Sequence, residues 1–253
     1  WNQPAPWGRK DKRKKETKMS IQEHVNAVRE KMAAAAKAAG RDPGEITLCA
    51  ATKVQTDDTI REAIAAGITV CGENRVQELT AHLEANAYEG AQVHFIGHLQ
   101  TNKVNKVVGK VDLIHSVDSE RLLLAIDRQA DKLGLVQDVL LEVNVAGELS
   151  KGGCTPDEAW ELAQLAQSLE HVRLRGLMAI PPIAQKPGDN TPYFSIMKKL
   201  YVDIKEKIAH NQDDMDCLSM GMSGDYEDAI AQGATLVRVG TALFGPRPPM
   251  AKQ

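Results

Sequence analysis

The sequence lacks any long apolar stretch. None of its hydrophobic runs approaches the roughly 20 residues that a helix needs to cross a bilayer, and the N-terminus has no apolar segment of the kind found in a secretory signal. These absences argue against a membrane-spanning or secreted protein. We therefore expect a cytoplasmic protein that has no membrane partner.

Cysteines are few, and their spacing is not that of a metal site. None of the four stands in a CxxC pair, and three lie inside apolar runs typical of buried strands. Thiols of an intracellular protein stay reduced. We predict reduced core thiols, with no disulfide and no metal bound, for Cys49, Cys71, Cys154 and Cys217.

Positive charge is concentrated at one end of the chain. Residues 1–18 hold seven Lys or Arg against two acidic residues, whereas the whole chain has a net charge of −3, so the remainder is distinctly acidic. An acidic body argues against nucleic acid as the main partner. Because Met19 and Ser20 look like a natural start, we interpret 1–18 as a disordered basic extension or a cloning remnant. Residues 248–253 are expected to form a flexible tail.

Short β-branched runs alternate with helical stretches along the rest of the chain. A leading helix is predicted from Ser20 to a terminating Gly40. Strands separated by helices pair in parallel through right-handed crossovers, and eight such units close into a barrel. The predicted fold class is therefore α/β, a single (β/α)8 TIM barrel over 19–247 with an extra N-terminal helix. Its predicted strands are 46–52, 68–72, 93–99, 113–117, 139–145, 172–180, 216–222 and 235–245.

An open, doubly wound sheet is the alternative to a barrel. It stays possible because the helical stretches at 102–108 and 225–232 are short. However, the glycine-rich dinucleotide fingerprint that usually follows the first strand of such a sheet is absent. The proline- and glycine-rich segment 180–192 is predicted to be a long loop over the barrel mouth.

Lys53 stands directly after the first predicted strand. Active sites of these barrels lie at the carboxyl ends of the strands. A lysine at that place buries its stem, and its amine can lose a proton and attack an aldehyde. A solvated charge just past a strand end is common for lysine, and position alone favours that interpretation over a nucleophile.

The ends of the last two predicted strands resemble an anion site. Glycines let backbone amides approach an anion, and hydroxyls add donors beside a helix start. Barrels frequently bind phosphate at these two loops. Taken singly, Gly240 and Thr241 indicate only a tight strand exit. Together with Ser223 and Lys53 they favour a ligand that is a phosphate-bearing aldehyde.

Three further strand ends carry polar residues without a decisive pattern. Asn74 either caps the following helix or contacts a ligand. His98 is typical of a hydrogen-bonded structural histidine. Glu142 and Asn144 interrupt an apolar run, so this end is either a ligand site or an internal network.

Seven ordered segments give the chain a resemblance to a known family, the pyridoxal phosphate homeostasis proteins, also called YggS-like or proline synthetase co-transcribed homologues. The resemblance extends from about Ser20 to Arg247. The segments are EITLCAATK (45–53), GENRVQE (72–78), HFIGHLQTNK (94–103), EVNVAGELSKGG (142–153), LRGLMAIPP (174–182), LSMGMSGDYEDAI (218–230) and VRVGTALFG (237–245).

The resemblance implies a barrel similar to the N-terminal domain of alanine racemase, with pyridoxal 5′-phosphate (PLP) bound as a Schiff base. The chain departs from the family pattern at Thr52, Cys71 and Arg75, and Arg75 could alter how the site meets solvent or a second ligand. By position, the implied contacts are Lys53 for the Schiff base, Ser223, Gly240 and Thr241 for the phosphate, Arg238 for the pyridine nitrogen, and Asn74 and Met178 near the ring.

The resemblance implies a monomeric PLP-binding protein of vitamin B6 homeostasis with little or no turnover. Its transient partners would be PLP-dependent enzymes that lack their cofactor. One alternative is a PLP-dependent racemase or decarboxylase of the same fold. The chain ends at Gln253, so we expect it to lack the second domain from which a racemase takes its opposite base. The other alternative is a lysine aldolase that acts on a sugar phosphate without a cofactor.

Overall fold

The computed structural model describes residues 19–148, 151–208 and 214–246. Eight parallel strands form a closed barrel in sequence order, in which β1 pairs with β2 on one side and with β8 on the other. The predicted barrel is confirmed, and the open sheet is wrong. The extension predicted at 1–18 and the tail predicted at 248–253 lie outside the described residues. The strands are β1 Thr47–Ala51, β2 Val70–Glu73, β3 Gln92–Phe95, β4 Leu113–Val117, β5 Gln137–Val143, β6 Val172–Ala179, β7 Cys217–Ser219 and β8 Leu236–Val239.

Helices cover the outside of the barrel. The extra N-terminal helix begins at Ser20, whose hydroxyl accepts the Glu23 amide while the Glu23 carboxylate accepts the Ser20 amide. This reciprocal pair is a capping box. The helix ends before Gly40, which has a φ of +69°. The helices are α1 Ile21–Ala38, α2 Asp57–Ala65, α3 Val76–Glu84, α4 Glu120–Leu133, α5 Pro156–Gln167, α6 Thr191–Lys207, α7 Tyr226–Ala231 and α8 Thr241–Phe244, with 3-10 turns at Pro43–Glu45 and Thr101–Lys106.

The last predicted strand is too long. The run 235–245 was expected to be extended throughout, but β8 ends at Val239 and α8 begins at Thr241. The chain leaves the sheet at Gly240, whose amide donates to the Ser223 hydroxyl rather than to a neighbouring strand. The Ser223 hydroxyl has therefore replaced the strand carbonyl to which the Gly240 amide would otherwise donate. Sequence periodicity does not reveal such a bond.

Close packing shortens two other strands. The run 93–99 contains Gly97, where an added Cβ would lie 2.0 Å from the Asn74 carbonyl oxygen, and β3 ends before it. The run 216–222 contains Gly221, with a φ of +94°, and β7 ends at Ser219. Both glycines lie just past the strand ends at the carboxyl end of the barrel, where a side chain at Gly97 would clash and one at Gly221 would be strained.

Alternate side chains of each strand divide the core into two layers. A small cluster that includes Cys49, Met178 and Cys217 fills the barrel interior, and a larger one lies between the strands and the helices. The four cysteines are free and buried, as predicted. Burial raises the pKa of Cys217 to about 12, so this thiol stays protonated and unreactive.

The segment after β6 lies at the barrel mouth, as predicted. The Asn190 amide donates to the Pro182 carbonyl at 2.8 Å and to the Asp225 carboxylate at 2.7 Å. The Gly188 amide donates to the Asp228 carboxylate at 2.7 Å. These bonds tie the loop to the start of α7. Within the part of the chain described here, no helix combines the length and apolar character needed to span a membrane.

Candidate functional site

A cavity of about 310 Å³ opens at the carboxyl end of the barrel, between the ends of β1 and β8 and the loop after β7. Six of the seven predicted site residues line it, and Met178 does not. Its volume lies at the lower end of the range for small-ligand sites. The six residues are Lys53, Asn74, Ser223, Arg238, Gly240 and Thr241.

A larger cleft of about 1030 Å³ lies at the opposite, amino-terminal end of the barrel. Ion pairs line it, for example Arg175 with Asp138 and with Asp216. Ligand chemistry in closed (β/α)8 barrels takes place at the carboxyl ends of the strands, whereas the amino-terminal face contributes stability. We therefore assign the functional site to the smaller cavity.

The backbone turns sharply directly after Lys53. Val54 has a φ of +57°, which is unfavourable for a β-branched residue. Its amide donates to the Glu78 carboxylate at 2.8 Å, and the Gln55 amide donates to the Thr52 carbonyl. This turn fixes the backbone from which the half-buried Lys53 side chain extends. Such strain persists only where surrounding bonds hold it, and it is common at ligand sites.

Glu73 organises the neighbouring wall at the end of β2. Its buried carboxylate accepts the amides of Asn74 at 2.6 Å and Arg75 at 3.2 Å. It also accepts the hydroxyls of Thr52 at 3.4 Å and Tyr88 at 3.3 Å. Burial raises the pKa of Glu73, while the two amide bonds oppose that rise. The carboxylate thus fixes the backbone on which Asn74 stands.

Asn74 does not cap the helix, so the capping alternative is wrong. Helix α3 begins after Arg75, which makes no side-chain capping bond. The Asn74 Oδ1 atom is buried without a hydrogen-bond partner among the described residues, while the residue lines the cavity. An unsatisfied buried acceptor is unfavourable by about 1–3 kcal/mol. A ligand that donates a hydrogen bond here would remove that penalty.

The loop after β7 meets the end of β8 at the other side of the cavity. The Ser223 hydroxyl oxygen accepts the Gly240 amide at 3.1 Å and the Ala242 amide at 3.3 Å. Thr241 lies exposed on the same rim. A Cβ added at Gly224 would have no heavy atom within 4 Å, so that side is open. Two amides that converge on one oxygen are suited to an oxyanion.

Arg238 extends from β8 inside the barrel and is only 4% exposed. One guanidinium nitrogen donates to the Ser219 hydroxyl at 2.5 Å, and the other donates to the Ala179 carbonyl at 2.8 Å. Burial lowers the pKa of Arg238, although an arginine starts so far above neutrality that it stays charged. The guanidinium is therefore a fixed donor at the base of the cavity.

Met178 is fully buried in the barrel interior and belongs to the same apolar cluster as Ala51 and Ile96, two residues that do line the cavity. It therefore packs beneath the cavity.

Two departures from the family pattern also lie outside the cavity lining. Cys71 belongs to the outer core layer, and Arg75 is 63% exposed and pairs with Glu78 at 3.1 Å.

Sequence reasoning missed most of the apolar lining. These residues carry no chemical signal of their own, and their position next to a strand end was the only available indication. They include Ala51, Val54, Ile96, Ile180, Met222 and Phe244.

The two polar residues of β5 and its loop have different roles. Asn144 belongs to an internal network, because its side chain donates to the Glu148 carbonyl and accepts the Glu148 amide. Glu142 is buried near Asp118. Burial, reinforced by the Asp118 charge, raises the pKa of Glu142 to about 7, while the Arg238 charge opposes that rise.

One group of potential metal ligands occurs among the described residues, comprising Glu73, Glu78 and His82. The oxygens of Glu73 and Glu78 already accept protein donors. Glu78 accepts the Val54 amide, and the His82 Nδ1 atom pairs with Asp57 at 2.5 Å. The two carboxylates are therefore explained by hydrogen bonds within the protein.

The chain is similar to several known proteins over nearly its whole length. The family profile "Alanine racemase, N-terminal domain" matches residues 20–248. A pyridoxal phosphate homeostasis protein of Aquifex aeolicus is 43% identical over 233 residues, which cover 90% of this chain and 99% of that protein.

Two solved structures share both fold and sequence with this chain. A crystal structure of an unknown protein from Bifidobacterium adolescentis has a TM-score of 0.83 at 42% identity, covering 88% of this chain and 94% of that one. The structure of PipY from Synechococcus elongatus with PLP bound has a TM-score of 0.76 at 36% identity, covering 89% and 100%.

The raised pKa of Glu142 predicts a particular pH dependence of stability. The folded state favours the protonated carboxyl, whereas an unfolded glutamate titrates near about 4.3. The stability that Glu142 contributes is therefore complete below about pH 4.3 and is lost as the pH rises through 7. We expect Glu142→Gln to be more stable than the wild type at pH 8, by an amount on the order of 2 kcal/mol, with a smaller difference at pH 5.

Thermal or urea unfolding at both pH values measures this difference. Glu89→Gln, which changes an exposed glutamate, is the matched control and should leave the pH dependence unchanged. If Glu142→Gln and the wild type lose the same stability between pH 5 and pH 8, Glu142 ionises normally and the assigned pKa is wrong.

Proposed function

This chain belongs to the family of pyridoxal phosphate homeostasis proteins, and we propose that it binds PLP in the cavity beside Lys53 and serves in the intracellular handling of vitamin B6. The observation that carries the proposal is the convergence of an amine, an oxyanion cradle and a buried guanidinium on one cavity. The related PipY, 36% identical, has a structure with PLP bound. The main function predicted from the sequence is thereby supported over a racemase or a decarboxylase.

The functional groups of PLP correspond to those of the cavity. The aldehyde matches the amine of Lys53, and the phosphate matches the rim formed by Ser223, Gly240 and Thr241. The pyridine nitrogen, an acceptor, matches the Arg238 guanidinium. The unsatisfied Asn74 Oδ1 atom leaves one acceptor for a polar group on or near the ring. The polar groups of PLP thus have chemical counterparts among the residues that line the cavity.

Lys53 is the proposed attachment point. Its Nζ atom attacks the aldehyde carbon and forms an imine with loss of water, which requires the amine to be neutral. The tight turn at Val54 and the bond from its amide to Glu78 hold the lysine at the cavity wall. Ser223 is the proposed phosphate contact on the opposite rim, where its hydroxyl would turn from acceptor to donor as the phosphate takes over the two amides.

Arg238 argues for weak catalysis. When bound, PLP supplies an electron-withdrawing ring that can stabilise a carbanion, most strongly when its ring nitrogen is protonated. An arginine donates hydrogen bonds and retains its own proton, so it keeps a neighbouring acceptor nitrogen unprotonated. The name of the related proteins likewise refers to homeostasis and not to a reaction. We propose a cytoplasmic monomer that holds PLP and passes it to enzymes lacking their cofactor, with little turnover of its own.

Borohydride reduction is expected to fix a phosphopyridoxyl group on Lys53, because the imine forms at the amine that faces the cavity. Peptide mass mapping of the reduced protein locates the label. Lys53→Arg should remove the label, whereas the control Lys103→Arg should retain it. A label found mainly on Lys103 or Lys151 would show that the attachment point is elsewhere.

Ser223→Ala and Thr241→Val should each weaken PLP binding by about 5- to 150-fold, since each removes a hydrogen bond to a charged group that contributes about 1–3 kcal/mol. Fluorescence titration measures the affinity. Pyridoxal, which lacks the phosphate, should bind both variants about as well as it binds the wild type. Ser119→Ala, on an exposed serine of another loop, is the control. Unchanged PLP affinity in both variants would mean that the phosphate is held at a different place.

Purified protein loaded with PLP should transform common amino acids at least about a thousandfold more slowly than the typical enzyme rate of about 10 per second. Chirality, carbon dioxide release and keto-acid formation are followed for each amino acid. Free PLP at the same concentration supplies the background, and Lys53→Ala tests whether any turnover depends on the site. Turnover that approaches the typical rate and is lost in Lys53→Ala would make this protein an enzyme.

A further inference from the structure

A continuous chain of hydrogen bonds crosses the interior of the barrel. Arg238 donates to the Ser219 hydroxyl at 2.5 Å, Ser219 lies 3.0 Å from the His115 Nδ1 atom, and the His115 Nε2 atom lies 3.0 Å from the His94 Nδ1 atom. Each of the four residues is at most 5% exposed. We call Ser219, His115 and His94 the axial chain.

The strand register explains this arrangement. Ser219, His115 and Arg238 each stand two residues after an interior residue of the same strand, namely Cys217, Leu113 and Leu236. They therefore face the barrel axis. His94 pairs in register with Leu113, one layer lower, and lines the cleft at the amino-terminal end. Together with Arg238, which lines the cavity beside Lys53, the axial chain thus runs from that cavity to the opposite end of the barrel.

Donor and acceptor chemistry gives the bonds a direction. An arginine only donates, so the Ser219 oxygen accepts from it. The His115 Nδ1 atom is the one acceptor within reach of the Ser219 hydroxyl proton among the described residues, so the arrangement that leaves no buried donor unbonded has Ser219 donating to it. His115 then carries its proton on Nε2 and donates to His94. His94 in turn accepts at Nδ1 and carries its proton on Nε2. Burial lowers the pKa of His94 to about 4 and holds that of His115 well below its usual range, which agrees with two neutral rings.

The barrel interior normally contains bulky apolar side chains, and buried polar groups are unfavourable unless they are bonded. Here the chain is satisfied, since Asn74 Oδ1 and Ser116 Oγ are the buried side-chain atoms without partners among the described residues, and neither belongs to it. A fully bonded network holds its members in one arrangement. Arg238 is held at one nitrogen by this network and at the other by the Ala179 carbonyl.

We infer that Ser219, His115 and His94 are positioning residues that fix the guanidinium of Arg238, and through it the unprotonated state of the ring nitrogen of bound PLP. The inference rests on the proposed function for its second half only. The first half concerns the protein without ligand: Arg238, through Ser219, dictates which nitrogen of each histidine carries the proton. The residues act through Arg238 and do not touch the ligand.

The first measurement uses the ligand-free protein with 15N-labelled histidine. Imidazole 15N shifts distinguish the two neutral tautomers and the charged ring. We expect His115 and His94 to be neutral with the proton on Nε2 between pH 6 and pH 8. Ser219→Ala should shift the His115 resonances, because Nδ1 loses its donor, while Ser219→Thr should retain the wild-type pattern. The assigned hydrogen bonds are wrong if the histidines of the wild type carry their proton on Nδ1. They are also wrong if Ser219→Ala leaves the His115 15N shifts unchanged.

The second measurement uses the PLP-loaded protein and its absorption spectrum as a function of pH. Ser219→Ala and His115→Gln should change the position or the pH profile of the absorption band and weaken PLP binding by about tenfold, and Ser219→Thr should restore both. Leu113→Val, an apolar change in the same interior, controls for loss of packing and should lower the melting temperature without changing the band. If Leu113→Val produces the same spectral change, or Ser219→Ala none, the positioning role is wrong.

The two measurements separate the possible failures. If the wild type binds no PLP, the proposed function fails while the histidine shifts still decide the bonding of the chain. If the wild type binds PLP but the spectra of the variants match its own, the function stands and the positioning role fails. If His115→Gln does not fold, Ser219→Ala and Ser219→Thr are sufficient to test the positioning role. Ser219→Ala removes the hydroxyl that bonds both Arg238 and His115, and Ser219→Thr keeps it.

Discussion

The pairing of β1 with β8 brings the parts of the candidate site together. Ala50 lies opposite Val239 in the register, so the residues that follow these strands emerge side by side at the same end of the barrel. Lys53 and the Gly240 turn are far apart in the chain, yet they line one cavity. In an open sheet of the same strand order, the first and last strands would be opposite edges. Barrel closure is therefore the condition for an amine and an oxyanion cradle to face one ligand.

A second constraint arises from the buried charge of Arg238. Placing a guanidinium inside a barrel is unfavourable unless its donors are bonded. Ser219 and the Ala179 carbonyl provide those bonds, His115 bonds to the serine, and His94 bonds to His115. This explains why polar residues occupy positions of β4 and β7 that aliphatic side chains would otherwise fill. The interior of this barrel therefore combines packing with the positioning of one charged group.

Two carboxylates determine the backbone around the mouth. Glu78 holds the amide of Val54 in its strained turn, and Glu73 holds the amide of Asn74. Glu78 and Glu73 do not line the cavity themselves. Each of them bonds the backbone amide of a residue that does. Short, bonded turns of this kind keep Lys53 and Asn74 in place without a ligand. The rim at Ser223 is built differently, because its hydroxyl oxygen competes for the same amides that an oxyanion would use.

The eight strands and their order could be predicted from the sequence, because short β-branched runs alternate with helical stretches; the run 113–117, for example, is a strand with the same bounds in the structure. Strand ends could not be predicted equally well. The limits at Gly97 and Gly240 depend on the Asn74 carbonyl and the Ser223 hydroxyl, which come from distant parts of the chain. The role first considered for Asn74 as a helix cap was wrong for the same reason, since the neighbouring Glu73 carboxylate and the Gly97 contact decide its backbone.

For the site, the residue types alone indicate which chemical groups follow the strand ends: the amine of Lys53, the hydroxyl of Ser223 and the glycine backbone at 240. Those groups are properties of single residues and need no partner to be recognised. Only the tertiary structure decided that they face one cavity, that Met178 lies beneath it, and that His94, His115 and Ser219 join Arg238 across the barrel. The physical reason is that hydrogen bonds and burial depend on distances between residues remote in sequence, and those distances exist only once the barrel has closed.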